Sequence, residues 1–196
     1  MKLGKLLLAV AGATVLLGAL VSSASARNFE VSSQTGTTLW RRVILAVGAE
    51  RLAECEIKLS GSLHTRTATK TINSLIGYIT ESVVLRCVFG GMTINQASLP
   101  WHRRYRAFTG TLPNILTQSE TVTGAEWSMR EAVFGITCTM RRESSSLTRT
   151  YSLSSGTVTN DSLSGEDLCS GIMMRLEGAE TNVTNGSGAR ISVRLI

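Results

Sequence analysis

Proline, histidine and aspartate are all scarce in this chain. Its 196 residues include two prolines, Pro100 and Pro113, two histidines, His64 and His102, and two aspartates, Asp161 and Asp167. With no C-x-x-C pair and no histidine beside a cysteine at ligand spacing, a zinc site lacks its usual pattern. Aromatic residues are 5% of the chain, too few for the aromatic girdles of an outer-membrane barrel. The sequence also lacks a G-x-S-x-G elbow, an acidic calcium loop, a phosphate-binding glycine loop and a dinucleotide fingerprint. No cofactor and no metal are therefore expected.

What is present begins with a leader. Lys2 and Lys5 give a positive start, the run from 6 to 21 is apolar apart from Thr14, and Ala24, Ser25 and Ala26 supply small residues before Arg27. These three regions in order predict a cleavable signal peptide over 1–26, with an uncleaved anchor as the alternative. No cysteine follows the small-residue site, which argues against a lipid anchor, and no later run is long enough to cross a bilayer. The mature chain, 27–196, is expected to be one secreted β domain. Removing 26 of 196 residues leaves 170, enough to bury a core. Taking away Lys2 and Lys5 leaves 18 basic against 14 acidic side chains, a net charge near +4. So mild an excess predicts no specific nucleic-acid partner.

All four cysteines, Cys55, Cys87, Cys138 and Cys169, follow the leader. In an oxidising compartment an even count reads as disulfides, and four cysteines allow three connectivities. Cys55 with Cys87 and Cys138 with Cys169 are favoured because each pair closes a local loop of similar size. A loop of about 30 residues contributes roughly 3 to 4 kcal/mol on the chain-entropy model.

The mature region is rich in Thr, Ser, Val, Ile and Gly, which favours strands and turns over helices. In 52–63, Ile57, Leu59 and Leu63 share one parity while Glu54, Glu56, Lys58 and Ser60 share the other, as in a half-buried strand. The apolar stretch 72–89 reads as a second strand, and Gly90-Gly91 as a tight hairpin leading into 92–97. Further strands are expected over 121–129, 132–140, 147–153, 157–159, 172–183 and 189–196. Residues 38–47 fit a strand by parity or a helix by face, with the strand preferred, and 141–146 reads as a polar surface loop. Many short strands without alternating helices predict an all-β fold, an antiparallel β-sandwich or a barrel-like closed sheet stabilised by disulfides.

The least generic stretch is 99–115, LPWHRRYRAFTGTLPNI. As a strand it places Trp101, Arg103 and Tyr105 on one face and His102, Arg104, Arg106 and Phe108 on the other. Trp101, His102, Arg103, Arg104, Tyr105 and Arg106 then form a candidate ligand-binding strip, with arginines for phosphate or carboxylate and aromatics for stacking on a sugar or base. The alternative puts Trp101 and Tyr105 in the core, with the arginines lining a solvated edge and the prolines ending the strand.

Together with the leader, the segment from Cys55 (CEIKLSGSLH), the run Ile76-Gly77-Tyr78-Ile79-Thr80, Cys87 and LPWHRRYRAFTGTLPNI resemble uncharacterised secreted proteins of actinobacteria. That resemblance spans Cys55 to about Cys138 and implies no catalytic or binding residue. The function expected from the residues is a secreted, non-catalytic β protein with a structural or interaction role at the cell envelope or outside the cell. Its partner would be an anionic envelope polymer or glycan. The alternatives are a small secreted hydrolase using His102 or His64 with a carboxylate, and a closed barrel holding a lipid-like ligand.

Overall fold

The computed structural model describes residues 28–47, 49–111, 114–132, 135–140, 146–169, 172–180 and 183–196. The expected leader over 1–26, the expected loop apart from Ser146, and Pro113 lie outside the described residues. In chain order the strands are β1 (Asn28–Val31), β2 (Thr35–Val47), β3 (Glu50–Leu63), β4 (Thr67–Thr69), β5 (Leu75–Phe89), β6 (Gly91–Ile94), β7 (Trp101–Thr111) and β8 (Asn114–Thr123). They continue as β9 (Trp127–Arg130), β10 (Thr137–Met140), β11 (Ser146–Ser154), β12 (Thr157–Cys169), β13 (Ile172–Glu180), β14 (Val183–Thr184) and β15 (Val193–Leu195).

Strands β2, β3, β5, β7, β8, β11, β12 and β13 pair in that order, each antiparallel to the next, and β13 returns to β2. The fold is therefore all-β, a barrel-like closed antiparallel sheet. Closure satisfies the backbone of what would otherwise be two terminal strands. Residues 38–47 fall within β2 and are extended, paired to β3 on one side and β13 on the other. A helix would satisfy this backbone internally and leave both neighbours unpaired.

Side-chain alternation sorts each strand into an inner and an outer face. Along β3, Ala53, Cys55, Ile57 and Leu59 are buried inside. The alternate positions face out, where Glu56 accepts a hydrogen bond from Arg86 Nε at 2.6 Å and Lys58 pairs with Glu81 at 3.2 Å. The Ser60 hydroxyl donates to Glu81 Oε2 at 2.7 Å, and these hydrogen bonds from Ser60 and Lys58 hold the Glu81 carboxyl below its usual range.

The closed sheet encloses two apolar clusters, each covered by a small sheet of its own. Trp40, Val43, Ile57, Trp101, Val122 and Leu147 belong to one, joined by Ile94, Trp127, Met129 and Met140 from the antiparallel sheet β6-β9-β10. Trp101 and Trp127 meet edge to face with centroids 5.6 Å apart. The second cluster gathers Ile76, Tyr105, Ile115, Tyr151 and Val158 beneath Phe29, Val31 and Val193 of the sheet β15-β1-β4. Because β15 pairs with β1, the chain's last residues are part of this covering sheet, and Ile196 N donates to Asn28 O at 3.1 Å.

Cys55 and Cys87 lie directly opposite each other on β3 and β5 and form a disulfide with a Cα separation of 4.0 Å. Cys138 is also disulfide-bonded; the side chain of Cys169, its expected partner, lies outside the described residues.

The hairpin expected at Gly90-Gly91 is not formed. β6 pairs with β9 and not with β5. Gly90, at φ +64°, turns the chain where a Cβ would come within 2.5 Å of Arg130 O and 2.8 Å of Ala53 Cβ. The two glycines thus make a crowded corner that sends the chain to the covering sheet rather than back along β5. The strand expected over 92–97 stops at Ile94, because Asn95 caps a short 3-10 turn at Gln96–Ser98. Boundaries differ elsewhere too: the strand expected over 121–129 is split between β8 and β9, and the one expected over 157–159 extends to Cys169.

Candidate functional site

Between the two apolar clusters lies a layer of buried charge. Inward positions on β7 read Trp101, Arg103, Tyr105, those on β8 include Val122 and Glu120, those on β11 read Leu147, Arg149, Tyr151, and those on β12 include Leu163 and Asp161. Each strand therefore runs from one cluster, through a charged side chain, to the other. Arg103 grips Glu120 with two parallel bonds, Nε to Oε1 and Nη2 to Oε2, both 2.9 Å. Its Nη2 also donates to the Tyr151 hydroxyl at 3.0 Å, and that hydroxyl donates to Glu120 Oε1 at 3.2 Å. Arg149 Nε donates to Asp161 Oδ1 at 2.9 Å and its Nη2 to the Thr38 hydroxyl at 2.7 Å. The Arg149 guanidinium lies between the rings of Trp40 and Tyr151, 5.4 and 4.8 Å from their centroids.

With two arginines and two carboxylates the layer is charge-balanced. Burial raises the Asp161 carboxyl above its usual value against the pull of Arg149. Burial opposes the Arg149 charge most strongly, but Asp161, Tyr151 and Glu120 together outweigh it, so the guanidinium holds its proton more firmly than in free arginine. The Tyr151 phenol is pushed far up by burial, so it enters the layer as a neutral donor.

The sequence-predicted strip divides between the two faces of β7. Trp101 and Tyr105 are buried, and Arg103 turns inward to Glu120, so these three do not stand on the outer surface with the rest. Trp101 Nε1 donates to the Ser98 hydroxyl at 2.9 Å, anchoring the start of β7 to the preceding turn. His102, Arg104 and Arg106 lie on the outer face: Arg104 Nη1 donates to Asn73 O at 3.0 Å, and Arg106 Nη1 reaches the Thr148 hydroxyl at 2.6 Å. Strict alternation put Phe108 on that outer face, which the structure corrects. The register shifts between Tyr105 and Ala107, leaving Arg106 as an extra residue, and Phe108 moves inward to meet Phe29 edge to face at 5.9 Å.

Around the outer arginines runs an ordered field of hydroxyls. Arg104 aligns with Thr121, Thr148 and Ser164 across β7, β8, β11 and β12. The next outer row aligns Ser119, Thr150 and Ser162, and the one after it Thr109, Thr117 and Ser152. Along β7, β8 and β11 the only acidic residue is Glu120, which is buried on the inner side.

The two histidines do not meet a carboxylate. His64 and His102 flank Tyr78 on the outer face, with ring centroids 5.0 and 5.4 Å away. Among the described residues no cluster of three potential metal ligands occurs, and no helix is long and apolar enough to cross a membrane.

The sequence reading missed Thr38, Glu120, Arg149 and Asp161. A signal was available for three of them, since Glu120, Arg149 and Asp161 each share parity with an apolar neighbour two residues away: Val122, Leu147 and Leu163. A charge on an apolar parity marks a buried ion. No protein-family model, curated protein or solved structure matches the chain.

Proposed function

We propose that this is an exported, non-catalytic β protein that holds an anionic envelope polymer or glycan on the outer face of β7, β8 and β11. The observation that carries the reading is the charge distribution of those strands. Their single carboxylate is sequestered inside, while His102, Arg104 and Arg106 remain outside among rows of hydroxyls. Each outer arginine is steadied by one hydrogen bond and keeps further N–H donors for phosphate, sulfate or carboxylate oxygens. Neighbouring Thr and Ser side chains supply donors and acceptors for a polymer's hydroxyls. A chain whose described cysteines are all oxidised suits an oxidising compartment.

The double variant Arg104→Ala/Arg106→Ala is expected to lose retention on dextran sulfate resin and on envelope fragments at about 150 mM salt. Its stability should stay within about 0.5 kcal/mol of the parent, because both side chains lie at the surface. Retention of the double variant at the parent's salt strength would overturn the reading.

A further inference from the structure

A groove of about 690 Å³ opens on the outer face where β12, β13 and β2 lie side by side. Ser162 and Ser164 form one wall, Ile44 and Ala46 are apolar residues of its lining, and Arg42, Arg51 and Glu177 bring charge to it. The two serines are also the β12 ends of the hydroxyl rows, one running Ser119, Thr150, Ser162 and the other Arg104, Thr121, Thr148, Ser164. We infer that this groove holds neutral sugar units of the polymer whose acidic groups meet Arg104 and Arg106, so that the polymer is a glycan with acids on only some of its sugars. The inference rests on the reading above for the charged end of that track alone.

Size admits a ligand, since small-molecule sites run from about 300 to 1,000 Å³. Charge then sets its sign. Arg42 Nε and Arg51 Nη1 converge on one carboxylate, 3.5 Å from Glu54 Oε1 and 3.4 Å from Glu54 Oε2. With Glu177 exposed on β13, two arginines meet two carboxylates here. An acidic group in the groove would face Glu177 and an ammonium group would face the arginines, so a neutral ligand fits best. Hydrogen bonding selects its chemistry. The serine hydroxyls donate and accept, the guanidinium groups donate and the carboxylates accept, a mixture that suits a molecule covered in hydroxyls. Ile44 and Ala46 suit the C–H face of a pyranose ring. Position ties the groove to the arginines of β7. From Arg104 to Ser164 the row crosses three strand steps, about 14 Å, so a chain longer than this engages both ends.

The test is an amide NMR titration of the full-length mature protein with three probes: a neutral dextran oligosaccharide, polyphosphate, and a long, sparsely substituted carboxymethyl dextran. The neutral sugar is expected to shift Ile44, Ser162 and Ser164 saturably and to leave Arg104 and Arg106 unmoved. Polyphosphate, which carries charge without sugar, should do the reverse. Carboxymethyl dextran should shift both sets and bind about tenfold or more tighter than the neutral sugar, because its second contact is intramolecular. Arg42→Leu/Ser164→Leu changes two surface side chains and should weaken the neutral sugar at least about tenfold, as loss of two hydrogen-bonding groups does. Arg104→Ala/Arg106→Ala should leave that binding unchanged while removing the gain of the substituted chain. Since the neutral probe does not use Arg104 or Arg106, its result stands apart from the retention test above. No saturable groove shift with the neutral sugar, groove shifts as large with polyphosphate, or undiminished affinity in a folded Arg42→Leu/Ser164→Leu protein would overturn the inference.

Discussion

Glu120→Gln is expected to lower the unfolding free energy by about 3 to 5 kcal/mol, the cost of leaving a buried ion without its partner. Glu120 is fully buried, receives both parallel bonds of Arg103 and the hydroxyl of Tyr151, and lies 3.7 Å from Arg149 Nη1. Glutamine preserves the shape but leaves two guanidinium groups facing one carboxylate, Asp161. Neither arginine can escape to water, since their side chains retain 11% and 6% of their exposure. Replacing the connected group together, as Arg103→Met/Glu120→Leu/Tyr151→Phe, removes one charge of each sign and the hydroxyl that bonded both. Arg149 and Asp161 then remain as a matched pair, and most of the lost stability should return. Urea denaturation of the parent, the single variant and the triple variant measures both effects. A single-variant loss below about 1 kcal/mol would mean that water reaches the layer and that its charges are not confined by the ring.

Cys55→Ala/Cys87→Ala should cost about 3 to 4 kcal/mol, the chain-entropy value for a loop closed across a sequence separation of 32. Alanine is preferred to serine because Cys55 is in the core, where a hydroxyl would need a partner. The loss should also be local. β7 pairs with β5 only from Leu75 to Ile79, so over 80–89 the ladder of β5 is made with β3, and the disulfide fastens that stretch near its end. Amide hydrogen exchange at 80–89 should therefore accelerate more in the variant than exchange at Leu147 or Leu163 on the opposite wall. Uniform acceleration would show that the disulfide acts through the whole unfolded chain alone, and no loss of stability would overturn its structural role.

Much of the fold was legible because strand alternation is a local property. The inward run Ala53, Cys55, Ile57 and Leu59 and its charged counterpart Glu54, Glu56 and Lys58 can be read along a single strand, and the structure places them accordingly. The pairing of Cys55 with Cys87 was favoured from loop size, and their register on adjacent strands brings it about. The distinctive segment was legible only in part. Its parity correctly separated Trp101, Arg103 and Tyr105 from His102, Arg104 and Arg106, then failed at Phe108, beyond the extra residue at Arg106. A bulge depends on how β7 meets β8, and one strand alone carries no mark of it. Gly90-Gly91 failed similarly, because a positive φ suits a hairpin and a corner equally well, and the choice rested on what β6 met, namely β9.

By itself, the sequence determined which residues alternate, and so the all-β character and the inward apolar rows. The tertiary structure alone decided that the sheet closes through β13 and β2, that small sheets cover both apolar clusters, and that Arg103, Glu120, Arg149 and Asp161 become one balanced layer. The reason is physical: alternation is imposed by the backbone geometry of each residue and its neighbours, whereas the partner of a buried charge is fixed by register between strands distant in sequence. Arg149 is 111 residues from Thr38, and only closure of the sheet brings the guanidinium to that hydroxyl.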